Sequence, residues 1–205
     1  MNNIASFSTG EHLPLNMLKE DEEMMADMVG QFARDVVGPK VMEMDKTSTM
    51  DPEIISALFE QGLMGIEIPE EYGGTGASFT TACLCIEEMA KVDPAVSTCI
   101  DVHNTVVNNT LKFWGSEDLK AEWLPRLATE MMGSFCLSEA GSGSDAFGLA
   151  TRADVSSDGS EYKINGSKLW ITNAEHAGLF LCFANVDHGL GYKGITCFAV
   201  PGDAE

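Results

Sequence analysis

The spacing of apolar and polar positions changes once along the chain. From about residue 20 to 131 apolar residues recur every three or four positions; after Gly133 they form short runs separated by turn residues. The first part reads as helices. Glu20, Asp21, Glu22 and Glu23 put acids in an opening turn, where the helix dipole favours them. Met24, Met28, Val29, Phe32, Val36 and Val37 follow as an apolar stripe, which Gly38-Pro39 breaks or kinks before a further turn through Met44. Asp51-Pro52 is a start signal, with Asp as N-cap and Pro at the first helical position. Ile54, Ile55, Leu58 and Phe59 form that helix's buried face, and Gly62 ends it.

Residues 63–77, with Gly73, Gly74 and Gly76, read as a loop. A third helix starts near Ser78 with Phe79, Cys83, Ile86 and Ala90 at helical spacing. Asp93-Pro94 opens a long apolar helix ending at Trp114-Gly115. Ser116 caps a fifth through Leu124, and Pro125 opens a last short turn to about Met131. Apolar residues on more than one side of these helices predict a bundle.

The second part reads as strands at 135–138, 150–155, 161–164, 168–172, 179–186 and 195–200, with Asn165-Gly166 as the best hairpin signal. Short strands with turns between them suggest an antiparallel barrel or sandwich. The expectation is therefore an α+β chain. Residues 1–19 form a flexible terminus, 20–132 an all-α bundle, and 133–205 an antiparallel β-barrel or sandwich.

Charge narrows the partners. Lys+Arg is 12 against Asp+Glu 32, a net charge of -20, which excludes nucleic acid and anionic membrane surfaces because both need positive charge. No apolar run reaches membrane-spanning length. The six cysteines lie mostly in apolar runs, without C-x-x-C or other metal-ligand spacing, and free thiols imply a reducing compartment. Residues 1–18 contain no arginine and read as neither a signal nor a transit peptide. His12, His103, His176 and His188 are scattered, with no spacing that suggests a triad.

Candidate chemistry lies at 135–148, F-C-L-S-E-A-G-S-G-S-D-A-F-G. Phe135, Cys136 and Leu137 fit a strand end; Ser138, Ser142 and Ser144 offer hydroxyls. Gly141, Gly143 and Gly148 permit positive φ and close approach of a ligand, while free N–H groups suit a phosphate. Asp145 can hold the loop in shape. Neither G-x-G-x-x-G nor G-x-x-x-x-G-K-[ST] is present. Lys168-Leu169-Trp170-Ile171-Thr172-Asn173 forms a second stretch. Taken singly, Trp170 reads as core, Ser138 and Thr172 as strand-end residues, and Tyr192 as a hairpin-tip aromatic.

Together, C-L-S-E-A-G-S-G-S-D-A-F-G at 136–148 and W-I-T at 170–172 resemble the two signatures of the acyl-CoA dehydrogenase family of flavoproteins. G-L-M-G-I-E at 62–67, E-Y-G-G-T-G-A-S-F at 71–79, A-E-H-A-G-L-F-L at 174–181 and G-Y-K-G-I-T at 191–196 resemble its short/branched-chain branch. The resemblance runs from about residue 20 to the end. It stops where the family's β domain continues and its C-terminal helical domain follows, so the chain looks truncated.

The resemblance implies FAD as cofactor, held by Phe135, Cys136, Leu137, Ser138, Gly143, Ser144, Trp170, Ile171 and Thr172. Ser138 matches a hydroxyl on the pyrimidine side of the flavin, Thr172 one near N5, and Trp170 an indole beside the ring. Ser144 and Tyr192 match acyl-CoA contacts. In the family a glutamate removes the α proton while the β hydrogen leaves as hydride. That base belongs to the C-terminal domain, so no catalytic residue is expected in this chain, and no metal. Further implications are electron-transfer flavoprotein as partner, a homo-oligomer (a homotetramer) at full length, and the mitochondrial matrix. Thr98 and Asp101 are expected toward the acyl pocket. Two functions stay open: an enzyme fragment, or a non-catalytic module for flavin, acyl-CoA or subunit binding.

Overall fold

The computed structural model describes residues 17–204, so most of the expected flexible terminus lies outside the described residues. Among the described residues seven α-helices precede five strands: α1 Glu20–Phe32, α2 Val41–Thr47, α3 Pro52–Glu60, α4 Phe79–Ala90, α5 Pro94–Asp101, α6 Asn109–Trp114, α7 Glu117–Thr129, β1 Met132–Cys136, β2 Arg152–Val155, β3 Tyr162–Asn165, β4 Ala177–Asn185 and β5 Ile195–Pro201. The capping signals act as read. Asp51 accepts from Glu53 N, Ser78 from Thr81 N, Asp93 from Ala95 N and Ser116 from Leu119 N.

Several boundaries differ, each for a local reason. Gly38-Pro39 does not break the first helix. A π-helical turn at Ala33–Val37 and a 3-10 turn at Gly38–Lys40 carry the chain into α2, since Pro is tolerated at a new first turn. Pro125 sits inside α7, which continues to Thr129. α5 and α6 are parts of one long helix joined through a π-helical stretch, Val102–Asn108. The buried faces also shift: Met24 and Val36 are exposed while Glu22, Ala26 and Ala33 are buried. In α4, Ala82, Cys85 and Met89 face the core, and Phe79 and Cys83 face solvent.

Two apolar clusters form the interior. One gathers Val29, Ile54, Leu58, Leu63, Met64, Ile66 and Ile100 among the helices. The other packs Ile68, Val107, Leu111, Leu124 and Leu127 against Leu179 and Leu181 of β4. Residues 63–68 belong to the loop expected from glycine content, yet Leu63, Met64, Ile66 and Ile68 are fully buried. Buried backbone needs partners. Asn104 supplies them, accepting from Ile66 N at 3.0 Å and donating to Leu63 O at 2.8 Å; Asn108 donates to Met64 O at 2.9 Å. At Gly74 a Cβ would lie 2.1 Å from Ile68 O, so only glycine fits.

The sheet is mixed, not antiparallel throughout. β4 is its centre. It pairs parallel with β1 and at one residue with β2, and antiparallel with β5; β2 and β3 pair antiparallel. Strand alternation says which face is buried but not which way a neighbour runs, and the long connection from Cys136 to Ala177 lets β4 return parallel to β1. Residues 168–172 are not a strand: Trp170 has φ 59 and the segment leaves the ladder. Asn165-Gly166 is not a hairpin turn either. A Cβ on Gly166 would lie 2.2 Å from Thr151 Oγ1, so this glycine serves a close chain crossing. The hairpin that does form joins β2 to β3 through Ser156, Asp158 and Gly159, where Ser156 N donates to Glu161 O.

Candidate functional site

β1 ends at Cys136 and delivers the chain into a loop whose base is closed by one side chain. Glu139 accepts from Ala150 N at 2.6 Å, from Thr151 N at 3.0 Å and from the Thr151 hydroxyl. It also accepts from Lys168 Nζ at 2.7 Å. The side chains of Lys168 and Glu139 are only 11% and 8% exposed. Burial alone would push the Glu139 carboxyl up. The Lys168 ammonium, the Thr151 hydroxyl and the Ala150 and Thr151 N–H groups outweigh it and hold it at about 2. Glu139 is thus a fixed anion at the neck of the loop.

The second stretch is laid alongside the first. Lys168 Nζ also donates to Leu137 O at 3.1 Å, Leu169 N to Ser138 O at 2.9 Å, and Ser134 Oγ to Thr172 O at 2.8 Å. Residue 138 thus meets 169 while 134 meets 172, so the two stretches run in opposite directions, held by side chains at both ends. Asn173 completes the attachment. At φ 68 it takes the left-handed conformation that Asn tolerates, and its Nδ2 donates to Cys99 O of α5 at 3.2 Å and to Gly133 O at 3.4 Å. A cleft of about 300 Å³ lies here, lined by Met50, Ala95, Cys99, Ile171, Thr172 and Asn173 among others.

The structure therefore brings Ser138 and Leu137 beside Lys168-Leu169, and Ser134 beside Thr172. Phe135 does not front this site; its ring stacks on Phe183, 4.8 Å between centroids, on the sheet face toward the helices. Cys136 and Ile171 line a separate apolar cavity. Trp170 projects from its backbone turn with 92% of its surface exposed, not into the core. The Ser138, Ser144 and Thr172 hydroxyls have no hydrogen-bond partner among the described residues. Gly141, Gly143 and Gly148 do not take positive φ; a Cβ at Gly141 or Gly143 would meet nothing within 4 Å, so what they provide is open space. The loop is shaped by Ser142, whose hydroxyl donates to Asp145 O at 2.7 Å. The Asp145 side chain does not have the part expected of it. Tyr192 stacks on Phe147 of the loop, 5.2 Å between centroids. Thr98 and Asp101 lie off the cleft, which α5 lines with Ala95 and Cys99; Asp101 instead accepts from the Thr105 hydroxyl at 2.8 Å.

Lys168, Asn173 and Glu139 lie within the two stretches read from the sequence, but the contacts they make were not legible beforehand. Asn directly after a strand-like run was the one available signal, since Asn favours positive φ. His103 is buried between the two parts. Gly133 N donates to its Nδ1 at 3.1 Å, so Nε2 carries the proton and donates to Leu127 O at 2.9 Å. Burial lowers its pKa to about 4 against the pull of backbone bonds, so it is a neutral structural group. Among the described residues no cluster of His, Cys, Asp or Glu could hold a metal.

The free hydroxyls, the open glycines and the bare indole fit a flat, acceptor-rich group such as a flavin. Comparison with known proteins agrees. The model of the acyl-CoA dehydrogenase N-terminal domain matches residues 19–131, and that of the middle domain 134–205. The chain is 54% identical over 192 residues to the mitochondrial short/branched chain specific acyl-CoA dehydrogenase of Rattus norvegicus, covering 94% of this chain and 44% of that protein. Butyryl-CoA dehydrogenase from Megasphaera elsdenii superposes with a TM-score of 0.85 at 31% identity, over 91% of this chain and 50% of that one. Glutaryl-CoA dehydrogenase from Mycobacterium smegmatis, solved in complex with FADH2, gives 0.83 at 32%, over 91% and 46%. The chain spans about half the length of the relatives it matches.

Proposed function

The chain belongs to the acyl-CoA dehydrogenase family, and on that premise we propose that it carries the flavin-facing part of an enzyme that desaturates short or branched-chain acyl-CoA. The observation that carries this reading is the Glu139–Lys168 clamp, which with the Ser134–Thr172 bond lays the stretch at 168–172 beside the end of β1, leaving the Ser138 and Thr172 hydroxyls without a partner among the described residues. In this reading Ser138 and Thr172 donate to the flavin, and Trp170 lies beside its ring. Leu137, Gly143, Ser144 and Ile171 line its approach through backbone and small side chains, while Phe135 and Cys136 support it from the strand. FAD, when bound, supplies the acceptor for the substrate's β hydrogen. Fixed donors at its edge stabilise the charge of the reduced ring.

Ser144 and Tyr192 hold the acyl-CoA, Tyr192 from its stack on Phe147. Glu139 is not the base, because four donors occupy its oxygens and a pKa held at about 2 makes it too weak to take up a proton at neutral pH. The α-proton base comes from outside these residues. Residues 20–132 and 133–205 act as a helical and a β domain. The full enzyme is a homo-oligomer of the mitochondrial matrix that hands electrons to electron-transfer flavoprotein.

The test is a titration of the purified chain with FAD, followed by flavin fluorescence, then addition of short straight and branched acyl-CoAs. Binding that weakens in Trp170→Ala, with no flavin bleaching by any substrate, is the expected result. Binding indifferent to Trp170→Ala would overturn the assignment of the site. Stoichiometric bleaching would place the base within this chain.

A further inference from the structure

We propose that Cys136 and Cys182 are a redox-reactive thiol pair, a site where a small-molecule disulfide converts two facing thiols into an intramolecular disulfide across β1 and β4. Cys136 is the last residue of β1, and Cys182 is its partner in the parallel register. Partnered residues of adjacent strands leave the sheet on the same face. Both cysteines accordingly line one apolar cavity of about 290 Å³, with Ile164, Phe180 and Val200 and with Lys168 at its wall. The third cysteine nearby, Cys197, pairs with Phe183 and lies on the opposite face against the helices. Adjacent strands run about 4.7–4.9 Å apart. A disulfide needs Cα atoms about 4.4–6.8 Å apart, so the backbone already meets the requirement.

The two thiols are not equivalent. Cys182 is half-buried and meets a reagent first; Cys136, 5% exposed, is placed to resolve. Both are free, and burial holds both thiols up, Cys136 at about 12, with the Lys168 ammonium pulling each back. The pair therefore reacts only through the fraction present as thiolate.

The chemistry balances in two exchanges. The Cys182 thiolate attacks one sulfur of the reagent disulfide; that S–S bond breaks, a mixed disulfide forms, and the departing thiolate takes up the proton that Cys182 lost. The Cys136 thiolate then attacks the Cys182 sulfur and releases the second reagent thiol. The reagent gains two electrons and two protons, and the protein pair loses them.

Closing the bond has a mechanical effect. Disulfide Cβ separations are about 3.5–4.5 Å, so with the Cα atoms already in range, closing the bond tilts the Cys136 side chain and the end of β1 about it rather than drawing the strands together. Ser138 follows two residues later, and Lys168 reaches from the same cavity to Leu137 O. Oxidation therefore displaces the neck of the candidate loop. That consequence rests on the flavin reading; the thiol chemistry does not.

The experiment uses the whole chain, treated with glutathione disulfide and examined by intact mass and peptide mapping. We expect a loss of two hydrogens and a peptide linking residues 136 and 182. Cys136→Val traps a glutathione adduct on Cys182, and Cys182→Val gives no link. Phenylarsine oxide, which bridges neighbouring thiols, provides a second measurement on the unaltered chain, independent of how the variants fold. Modification confined to exposed Cys83, or an arsenical that fails to bridge 136 and 182, overturns the proposal. An FAD titration of the reduced and oxidised chains tests only the effect on the loop. Lack of binding by the reduced chain would count against the flavin reading and leave the pair standing.

Discussion

The Lys168 ammonium sits 2.7 Å from Glu139 Oε1 and 3.1 Å from Leu137 O, so one side chain from the second motif grips both the loop neck and the strand end of the first. Breaking a buried pair by removing one partner costs about 3–5 kcal/mol, because the other charge stays buried. We expect Lys168→Met and Glu139→Gln each to destabilise the chain by an amount of that order in urea unfolding. The double variant should lose less than the sum, by about 0.5–3 kcal/mol of coupling. Additive losses would show that the two groups act separately.

Acid should unfold the chain in two stages. His103 has its pKa lowered to about 4 by burial, so the unfolded chain takes up a proton that the folded chain refuses. Its contribution is complete above about 6.5 and is lost as pH falls toward 4. Glu139 is depressed to about 2, so its contribution is present above its unfolded pKa near 4.5 and is lost between there and 2. Thermal melts from pH 7 to 2 should show the early loss removed in His103→Gln and the late one reduced in Glu139→Gln. Asp158, also held low by Ser156 and Ser160, titrates in the late window and leaves a remainder.

Removing the free hydroxyls should cost binding and not folding. Among the described residues Ser138 and Thr172 have no partner for their hydroxyls, so Ser138→Ala with Thr172→Ala should leave the melting temperature within a degree or two. Each hydrogen bond is worth about 0.5–1.5 kcal/mol, so losing two should lower FAD affinity roughly 5- to 150-fold. Unaltered affinity by flavin fluorescence would remove both residues from the site.

Two glycines should respond oppositely to alanine. Gly141→Ala adds a methyl into open space and should leave stability unchanged, yet weaken FAD binding if the ring approaches there. Gly74→Ala drives Cβ into Ile68 O and should destabilise by several kcal/mol, on the order of other overpacked core sites. Equal stability of the two variants by urea titration would contradict the packing described.

What the sequence made legible was governed by local chemistry. Asp51, Ser78, Asp93 and Ser116 were readable as helix caps because a cap is decided within three residues. The helical-then-strand division followed from the change of period. The parallel pairing of β1 with β4 was not legible, since chain direction leaves no mark on a strand's alternation. Nor was the conformation of residues 168–172: Lys168, Leu169, Trp170 and Ile171 have strand-like composition, but tethers from Ser134, Ser138 and Asn173 override it. At the candidate site, the motif residues were visible in sequence, Glu139 and Lys168 among them, while the pairing that aims them was not. Glu139 and Lys168 stand 29 residues apart, and no local rule joins them.

The π-helical stretch Val102–Asn108 has a geometric consequence for the whole long helix. A wider turn absorbs one extra residue, and one residue of α-helix corresponds to about 100° of rotation. The stretch therefore acts as a phase adjuster. Upstream of it Val96 and Ile100 are indexed to the helical core, and downstream Leu111 is indexed to the sheet side, each cluster served by its own angular setting of a single rod. Deleting one residue between 102 and 108 would restore an even winding and leave Leu111 on its present bearing, whereas winding the same residues as uniform α-helix would carry Leu111 and exposed Trp114 about 100° away. A rod that is apolar on more than one side can thus couple two differently oriented layers without a break in its hydrogen-bonded backbone.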